Sequence, residues 1–179
     1  MAPTTDLRVL IGRERIAARV QELGAEIARD FAGQEILLVG ILKGAAVFLA
    51  DLARAIPLHA SFDFMAVTSY GRKSQSSGVV RLLKDLNEDI AGKNVVLVED
   101  ILDTGLTLSY IRDLLLDRQP ARLRIAVLLD KTSRRQVPLR ADYTGFEIPD
   151  EFVVGYGLDY AEKYRNLGDI CVLALPPGK

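Results

Sequence analysis

Two spacings of apolar residues recur along the chain, and each predicts a different kind of element. Residues 16, 20, 23 and 27 are apolar at helical spacing, which predicts an amphipathic helix over about Gly12 to Phe31. Long apolar runs are typical instead of strands buried in a parallel sheet. Such runs occupy residues 36–42, 95–98, 125–129 and 170–175, and we place the start of the third strand at Arg124.

Two of these strands lead through a short turn directly into a helix. The strand 36–42 is followed by Lys43 and Gly44 and then by a helical stretch over 45–52, and the strand 95–98 precedes a helix that Pro120 ends. Strands that alternate with helices in this way imply a parallel sheet covered by helices on both faces. Because no repeat or linker divides the chain, we predict a single α/β domain.

The remaining segments predict a pair of strands and a short C-terminal strand. Residues 59–70 are rich in β-forming side chains, and a polar loop over 71–78 separates them from a second strand at 79–83. The chain is polar from 131 to 150 and then becomes apolar at 152–156. We therefore expect one further short strand near the C-terminus.

The turn after the strand 95–98 carries most of the candidate chemistry. Three acids, Glu99, Asp100 and Asp103, precede the sequence Thr104-Gly105-Leu106-Thr107 at the start of a helix. Backbone N–H groups and hydroxyls at a helix N-terminus favour a phosphate group. A Walker-type P-loop is excluded because no lysine follows the glycine. The turn therefore predicts a site for a sugar phosphate.

The acids of this turn have two interpretations. Glu99 and Asp100 are adjacent on an extended backbone, so we expect their side chains to diverge and to suit ribose hydroxyls or hydrated Mg²⁺ better than a glycosidase-type carboxylate pair. In the simpler alternative, Asp103 and Thr104 cap the helix, and Glu99 and Asp100 form a solvated strand end. The cluster of three acids with two threonines favours the first interpretation.

Composition excludes several classes of function. The chain has 23 Lys and Arg against 24 Asp and Glu, so no overall basic field attracts nucleic acid or an anionic membrane. Its single cysteine, Cys171, allows no internal disulfide and is expected to be a buried, inert thiol. There is no signal-peptide pattern and no apolar run near the roughly 20 residues of a membrane span. We expect a cytoplasmic protein.

Two motifs resemble one family of enzymes. The run from Val98 to Thr107 is similar to the phosphoribosyl-pyrophosphate motif of type I phosphoribosyltransferases, and residues 146–160 with 164–167 resemble the purine-binding end of hypoxanthine-guanine phosphoribosyltransferases. The resemblance extends from about Arg8 to Leu175. It implies a parallel twisted sheet flanked by helices with a small hood lobe, all in one domain over 1–179. The core would cover about 8–150, the hood mainly about 150–179 with the N-terminal arm, and a lid about 69–80.

The activity implied by the resemblance is Mg²⁺-dependent transfer of the 5-phosphoribosyl group from phosphoribosyl pyrophosphate to hypoxanthine or guanine, giving IMP or GMP and pyrophosphate. Asp103 would be the general base near the purine N7, and residues 104–107 would hold the 5′-phosphate. Glu99 and Asp100 would engage the ribose hydroxyls, directly or through Mg²⁺. Some relatives carry a lysine at the position of Leu106, so this chain must rely more on backbone N–H groups for the phosphate.

The resemblance also implies roles for residues elsewhere in the chain. Lys43, Gly44 and Arg165 would bind pyrophosphate, and the pair Ser69 and Tyr70 would close the lid. The purine side would comprise Lys131 at the exocyclic O6, Phe152 stacked on the ring, Val153 at the Watson–Crick edge, and Asp159 at the guanine amino group or at Mg²⁺. In the simpler alternatives, Lys43 and Lys131 are solvated and Phe152 belongs to the core. Arg165 then forms a surface ion pair with Glu162. His59 has no matching role and is interpreted as structural.

Two other functions use the same features. The first is transfer to another base, such as xanthine, and the second is an RNA-binding regulator with this fold. Arg134, Arg135 and Arg140 form the one candidate basic patch for RNA, and the balanced charge argues against that alternative. The resemblance further implies small-molecule substrates and a homodimer or homotetramer. The preference between hypoxanthine and guanine stays open.

Overall fold

A computed structural model describes residues 7–69 and 80–174 of the chain. Within these ranges the strands are β1 (Leu7–Ile11), β2 (Ile36–Leu42), β3 (Ala60–Ser69), β4 (Val80–Lys84), β5 (Asn94–Leu102), β6 (Arg122–Asp130), β7 (Tyr143–Glu147), β8 (Val153–Val154) and β9 (Ile170–Leu173). The helices are α1 (Arg13–Asp30), α2 (Ala46–Ala55) and α3 (Leu106–Leu116), with a short 3-10 helix over Thr132–Arg134.

The main sheet has six strands in the order β4-β3-β2-β5-β6-β7. Its neighbours pair in parallel except for β4, which runs antiparallel to β3 at the edge. The apolar strands β2, β5 and β6 lie in the interior, as expected for strands that are covered on both faces. The predicted fold class, a parallel sheet flanked by helices, is confirmed.

The two faces of the sheet are covered by different helices. Val96 and Val98 of β5 point into a core cluster that includes the buried residues of α1 and α2. Val95 and Leu97, which alternate with them, point into a second cluster with the buried residues of α3. The alternation along one strand therefore joins both layers of helices to the same sheet.

A second, three-stranded antiparallel sheet has the order β1-β9-β8. It brings the N-terminal strand against the C-terminal one, so that Arg8 pairs with Val172. The sequence patterns missed β1 and β7, and they predicted a longer β8. These strands are short and find their partners at a long sequence separation, so local periodicity carries little signal for them.

The strand ends define where a ligand can reach the sheet. The pairing of β2 with β5 ends at Gly40 and Val98, whereas the pairing of β5 with β6 continues to Leu102 and Asp130. The carboxyl-terminal part of β5 therefore extends beyond its pairing with β2. The carboxyl ends of parallel strands are where such folds usually bind their ligands.

In the described part of the chain, none of the helices is long and apolar enough to cross a membrane. The longest of them, α1, has a buried stripe formed by residues 16, 20, 23, 24 and 27 and is otherwise largely exposed. Its composition is that of a helix packed on one side of a core.

The buried glycine of α1 predicts a measurable packing constraint. A Cβ atom on Gly24 would lie 2.5 Å from the carbonyl oxygen of Ala55 at the end of α2. The backbone of Ala55 cannot shift without a cost in free energy. Gly24→Ala should therefore lower the free energy of unfolding by about 1–3 kcal/mol in urea titrations, although alanine is the better helix former.

The matched control is Ala25→Gly on the exposed face of the same helix, which measures helix propensity alone and should cost roughly 1 kcal/mol. A stability gain for Gly24→Ala would show that α1 and α2 are not packed as closely as the structure has them.

Candidate active site

The site begins at the end of β5, which is longer than the apolar run 95–98. The strand continues through Glu99 and Asp100 to Leu102, and Asp103 follows directly. The ends of β2 and β6 lie on either side, where Lys43 and Lys131 follow their strands. Three predicted site loops therefore leave the same edge of the sheet.

Glu99 and Asp100 diverge less than expected, because each carboxyl group influences the pKa of the other. The Asp100 N–H donates a hydrogen bond of 3.2 Å to Glu99 Oε1. Burial, followed by the negative charge of Asp100, raises the pKa of Glu99 well above its ordinary value. Burial also raises the pKa of Asp100, while the charge of Arg165 opposes that rise. The pair lies beyond the last β2 contact of β5, where the sheet no longer holds both sides of the strand.

Asp103 does not cap α3. The N-cap position belongs to Gly105, which has a left-handed φ of 84° and provides no side-chain cap. The Thr104 hydroxyl accepts a weak hydrogen bond of 3.4 Å from the Leu106 N–H. The Asp103 carboxylate instead accepts a hydrogen bond of 3.1 Å from Arg134 Nε. The first-turn N–H groups of α3 therefore remain suited to an anion.

The turn after β2 is packed tightly against the acidic pair. The peptide bond between Leu42 and Lys43 is cis. A Cβ atom on Gly44 would lie 1.7 Å from Asp100 Oδ2, so no other residue fits at this position without movement of Asp100. Gly157 approaches from the other side, because its own Cβ would lie 2.2 Å from the Gly44 carbonyl oxygen. The Lys43 ammonium lies at the surface, 2.9 Å from Glu162.

Arg165 contacts Gly157, the glycine that is packed against Gly44. Its guanidinium forms an ion pair of 2.8 Å with Asp159 and donates a hydrogen bond of 2.8 Å to the Gly157 carbonyl. The predicted alternative partner Glu162 is also in contact, at 3.4 Å. The Nε atom is buried and has no partner among the described residues. A buried donor left without an acceptor is costly, and here it is a natural contact for an anionic ligand.

The predicted purine residues lie on the loops after β6 and around β8. Lys131 is buried, and its ammonium is 3.7 Å from Asp150. Phe152 is 40% exposed, so it is not a core residue. Val153 is buried in β8. Tyr160, which the sequence patterns missed, packs edge-to-face on Phe152 with ring centroids 5.7 Å apart.

The predicted metal ligands do not form one cluster. No group of three or more His, Cys, Asp or Glu side chains suited to a metal is found among residues 7–69 and 80–174. Asp159 is instead occupied by Arg165 and by the Glu162 N–H at 2.8 Å. The acidic pair Glu99 and Asp100 still fits Mg²⁺, which takes one or two protein carboxylates and completes its shell with water and substrate oxygens.

The two consecutive arginines of the predicted basic patch are engaged with acids of the protein. Arg135 forms a largely buried ion pair with Asp130 and donates to the Asp103 carbonyl at 2.7 Å. Arg134 contacts Asp103 and Asp150. Among these three arginines, only Arg140 has no acidic partner within the described ranges. The arrangement gives RNA no concentrated basic surface.

The remaining predicted residues are Ser69, Tyr70, Cys171 and His59. Ser69 ends β3, whereas Tyr70 and the rest of the predicted lid to residue 79 lie outside the described residues. Cys171 is buried, and burial raises the pKa of its thiol. His59 is exposed just before β3, at the opposite edge of the sheet. The burial of Cys171 agrees with the expected inert thiol, and the structural role of His59 stays a prediction.

Comparisons with known proteins agree with this geometry. Residues 11–161 match the model of the phosphoribosyl transferase domain. A hypoxanthine-guanine phosphoribosyltransferase of Mycobacterium avium is 53% identical over 171 residues, which are 92% of this chain and 84% of that protein. The corresponding protein of Bacillus subtilis is 49% identical over 166 residues, covering 93% of this chain and 92% of that protein.

A solved structure gives the same result in three dimensions. The crystal structure of a hypoxanthine-guanine phosphoribosyltransferase from Bacillus anthracis, with a HEPES molecule in its active site, superposes with a TM-score of 0.91 at 48% identity. The match covers 94% of this chain and all of that one. The chain therefore belongs to the phosphoribosyl transferase family, and within it to the hypoxanthine-guanine phosphoribosyltransferases.

Proposed function

We propose that this protein is a purine salvage enzyme that transfers the 5-phosphoribosyl group from phosphoribosyl pyrophosphate to hypoxanthine or guanine. The observation that supports this best is the contact between the loops that follow β5 and β6. The Lys131 N–H donates a hydrogen bond of 2.9 Å to the carbonyl of Leu102, the residue before Asp103. A base held by Lys131 would therefore lie next to a sugar held by the turn 103–107.

The sugar phosphate would be bound by the turn into α3. Residues 104–107 would surround the 5′-phosphate with backbone N–H groups at the positive end of the helix dipole. Gly105 of this turn is buried, and a Cβ atom placed on it would lie 3.2 Å from the side chain of Arg135. The turn is thus supported from behind, as a preformed phosphate site requires.

The pyrophosphate would lie between Gly44 and Arg165. The buried Nε of Arg165 lacks an acceptor among the described residues, and a guanidinium binds phosphate oxygens well because its donors form a planar fork. The exposed Lys43 would add positive charge when its contact with Glu162 opens. Both groups would stabilise the negative charge that develops on the leaving pyrophosphate.

Members of this family use a metal ion, and we propose Mg²⁺ at the pair Glu99 and Asp100. The raised pKa values of these carboxyls reflect buried negative charge, which a divalent cation would compensate. Bound Mg²⁺ would supply neutralisation of pyrophosphate charge. The two carboxylates would also orient the ribose hydroxyls, directly or through the ion.

The purine would be recognised by the residues after β6 and around β8. Lys131 would donate to the O6 atom, which favours 6-oxopurines, because adenine presents an amino group there. The exposed ring of Phe152, supported by Tyr160, would stack on the base. Val153 would offer its backbone groups to the Watson–Crick edge, and Asp159 would accept from the guanine amino group.

The reaction would replace the bond from the ribose C1′ to pyrophosphate by a bond to a purine ring nitrogen. Asp103 would accept or orient the N7 proton while positive charge develops on the ribose. The protein contributes mainly by positioning, charge stabilisation and exclusion of water. Ser69 and Tyr70 would belong to a lid over the reacting atoms.

The first test of this function is incubation of the purified protein with phosphoribosyl pyrophosphate, Mg²⁺ and each of hypoxanthine, guanine, xanthine, adenine and uracil. We expect IMP and GMP from the first two bases, and chromatography of the nucleotides would detect them. Product from xanthine or uracil alone would assign a different transferase. RNA retention at physiological salt without any nucleotide product would favour the regulator.

Asp103→Asn tests the proposed base. Turnover should fall by about 10²–10⁴, the usual contribution of a general base, because an amide cannot accept the N7 proton. The dissociation constant of phosphoribosyl pyrophosphate should change little, since the phosphate turn is retained. The control is Asp113→Asn, which removes an exposed carboxylate near the far end of α3. Unchanged turnover in Asp103→Asn would exclude Asp103 as the base.

Lys131→Ala tests selection of the base. Loss of a charged donor costs about 1.5–3 kcal/mol, so the Michaelis constant for hypoxanthine should rise roughly 10- to 100-fold. The Michaelis constant for phosphoribosyl pyrophosphate should stay within about twofold. Lys93→Ala is the control, because Lys93 is an exposed lysine just before β5, at the opposite edge of the sheet. Equal increases in both Michaelis constants would contradict a specific role at O6.

A further inference from the structure

Arg134 contacts the proposed base from the following loop. Its Nε donates to Asp103 Oδ1 at 3.1 Å, and its NH1 lies 3.5 Å from Asp150 Oδ2. Asp150 also faces Lys131, because Oδ1 is 3.7 Å from the lysine ammonium. Asp103, Arg134, Asp150 and Lys131 thus form a continuous chain of alternating charge.

This ion-pair chain contributes little to the stability of the fold. The side chains of Asp103, Arg134 and Asp150 are 40%, 46% and 52% exposed. Exposed ion pairs at such distances are usually almost neutral for folding, because solvent screens them. Of these four residues, Lys131 alone is buried. Arg134 therefore adds little to the stability of the fold, and we interpret its contact with Asp103 as one that positions the carboxylate.

The neighbouring residues hold the backbone of the same turn. Arg135 donates to the Asp103 carbonyl at 2.7 Å and is anchored by its pair with Asp130. The Gln136 N–H donates to the Thr104 carbonyl at 2.9 Å. The main chain of Asp103 is thereby fixed, and the remaining freedom is rotation of its carboxylate. That rotation is what the contact with Arg134 restricts.

We propose that Arg134 is a positioning residue for the carboxylate of Asp103, and that Asp150 links this contact to Lys131. The proposal rests on the function proposed above. Arg134 binds Oδ1, which leaves Oδ2 to face the purine N7. The planar guanidinium sets the orientation of the carboxylate before the base arrives, and misplacement of a catalytic group costs up to about 10²-fold in rate.

The link through Asp150 connects the two side chains that would contact the purine, Lys131 and Asp103. Lys131 would meet O6 while Asp103 meets N7, and both groups are adjacent on a 6-oxopurine. Asp150 contacts both Arg134 and Lys131. The other charged group in contact with Asp103 is Arg135, which pairs with Asp130. When Lys131 turns to O6, Asp150 keeps its contact with Arg134, so the base stays oriented.

Arg134→Ala tests the proposal by steady-state kinetics with hypoxanthine. We expect kcat to fall about tenfold, while the Michaelis constant for phosphoribosyl pyrophosphate and the melting temperature stay near the wild-type values. Arg134→Lys keeps the charge but loses the fork, and it should recover part of kcat. Should the alanine variant melt early, Arg134→Gln, which keeps the side-chain size, replaces it. The matched control is Arg140→Ala, an exposed arginine of the same segment.

A double-mutant cycle identifies the group through which Arg134 acts. In the Asp103→Asn background, Arg134→Ala should change the single-turnover rate by less than twofold. A loss of kcat below threefold in the single variant would overturn the proposal. An equal loss in both backgrounds would also overturn it, because Arg134 would then act elsewhere. Absence of nucleotide product from wild-type protein would instead overturn the proposed function, which distinguishes the two failures.

Discussion

Two adjacent carboxyl groups at the end of the central strand, Asp100 buried and Glu99 half-buried, constrain the structure around them. Burial opposes the ionisation of Glu99 and Asp100, as the raised pKa values of both groups show. Arg165 supplies compensating positive charge, and Gly44 lets the backbone approach Asp100 where any Cβ would collide. Gly157 then closes against Gly44. The charge of this pair is only partly compensated among the described residues, which supports the proposed contact with Mg²⁺ and ribose oxygens.

The loop after β6 would have two functions in the proposed mechanism, because it touches the loop after β5. Lys131 faces the proposed base site, and the next residues of the same loop hold the Asp103 and Thr104 segment by one side-chain and two main-chain contacts. A substitution in this loop can therefore alter both base selection and turnover. The predicted basic patch is better understood as part of this support than as a surface for an external partner.

The core of the fold could be predicted because buried parallel strands are long apolar runs. The boundaries of β2 match the apolar run 36–42, and α1 follows its helical spacing to within one residue. The edge strand β7 contains Thr144 and Gly145 and pairs with one neighbour among the described strands, so its pattern is not that of a buried strand. Short strands with distant partners are decided by tertiary contacts rather than by local spacing.

The same distinction applies to the site. Motifs identified Asp103, Lys131 and Arg165, but they could not indicate that Arg134, thirty-one positions away, contacts Asp103. The structure also separates tightly packed contacts from loose ones. Gly44, Asp100 and Gly157 are packed without free space, whereas the contact between Lys131 and Asp150 is long, at 3.7 Å. In the proposed mechanism a purine would enter by displacing this one weak contact, while Arg134 would keep its contact with Asp103. The pyrophosphate would meet the fixed backbone at Gly44, so the site would hold this substrate firmly and still admit and release bases.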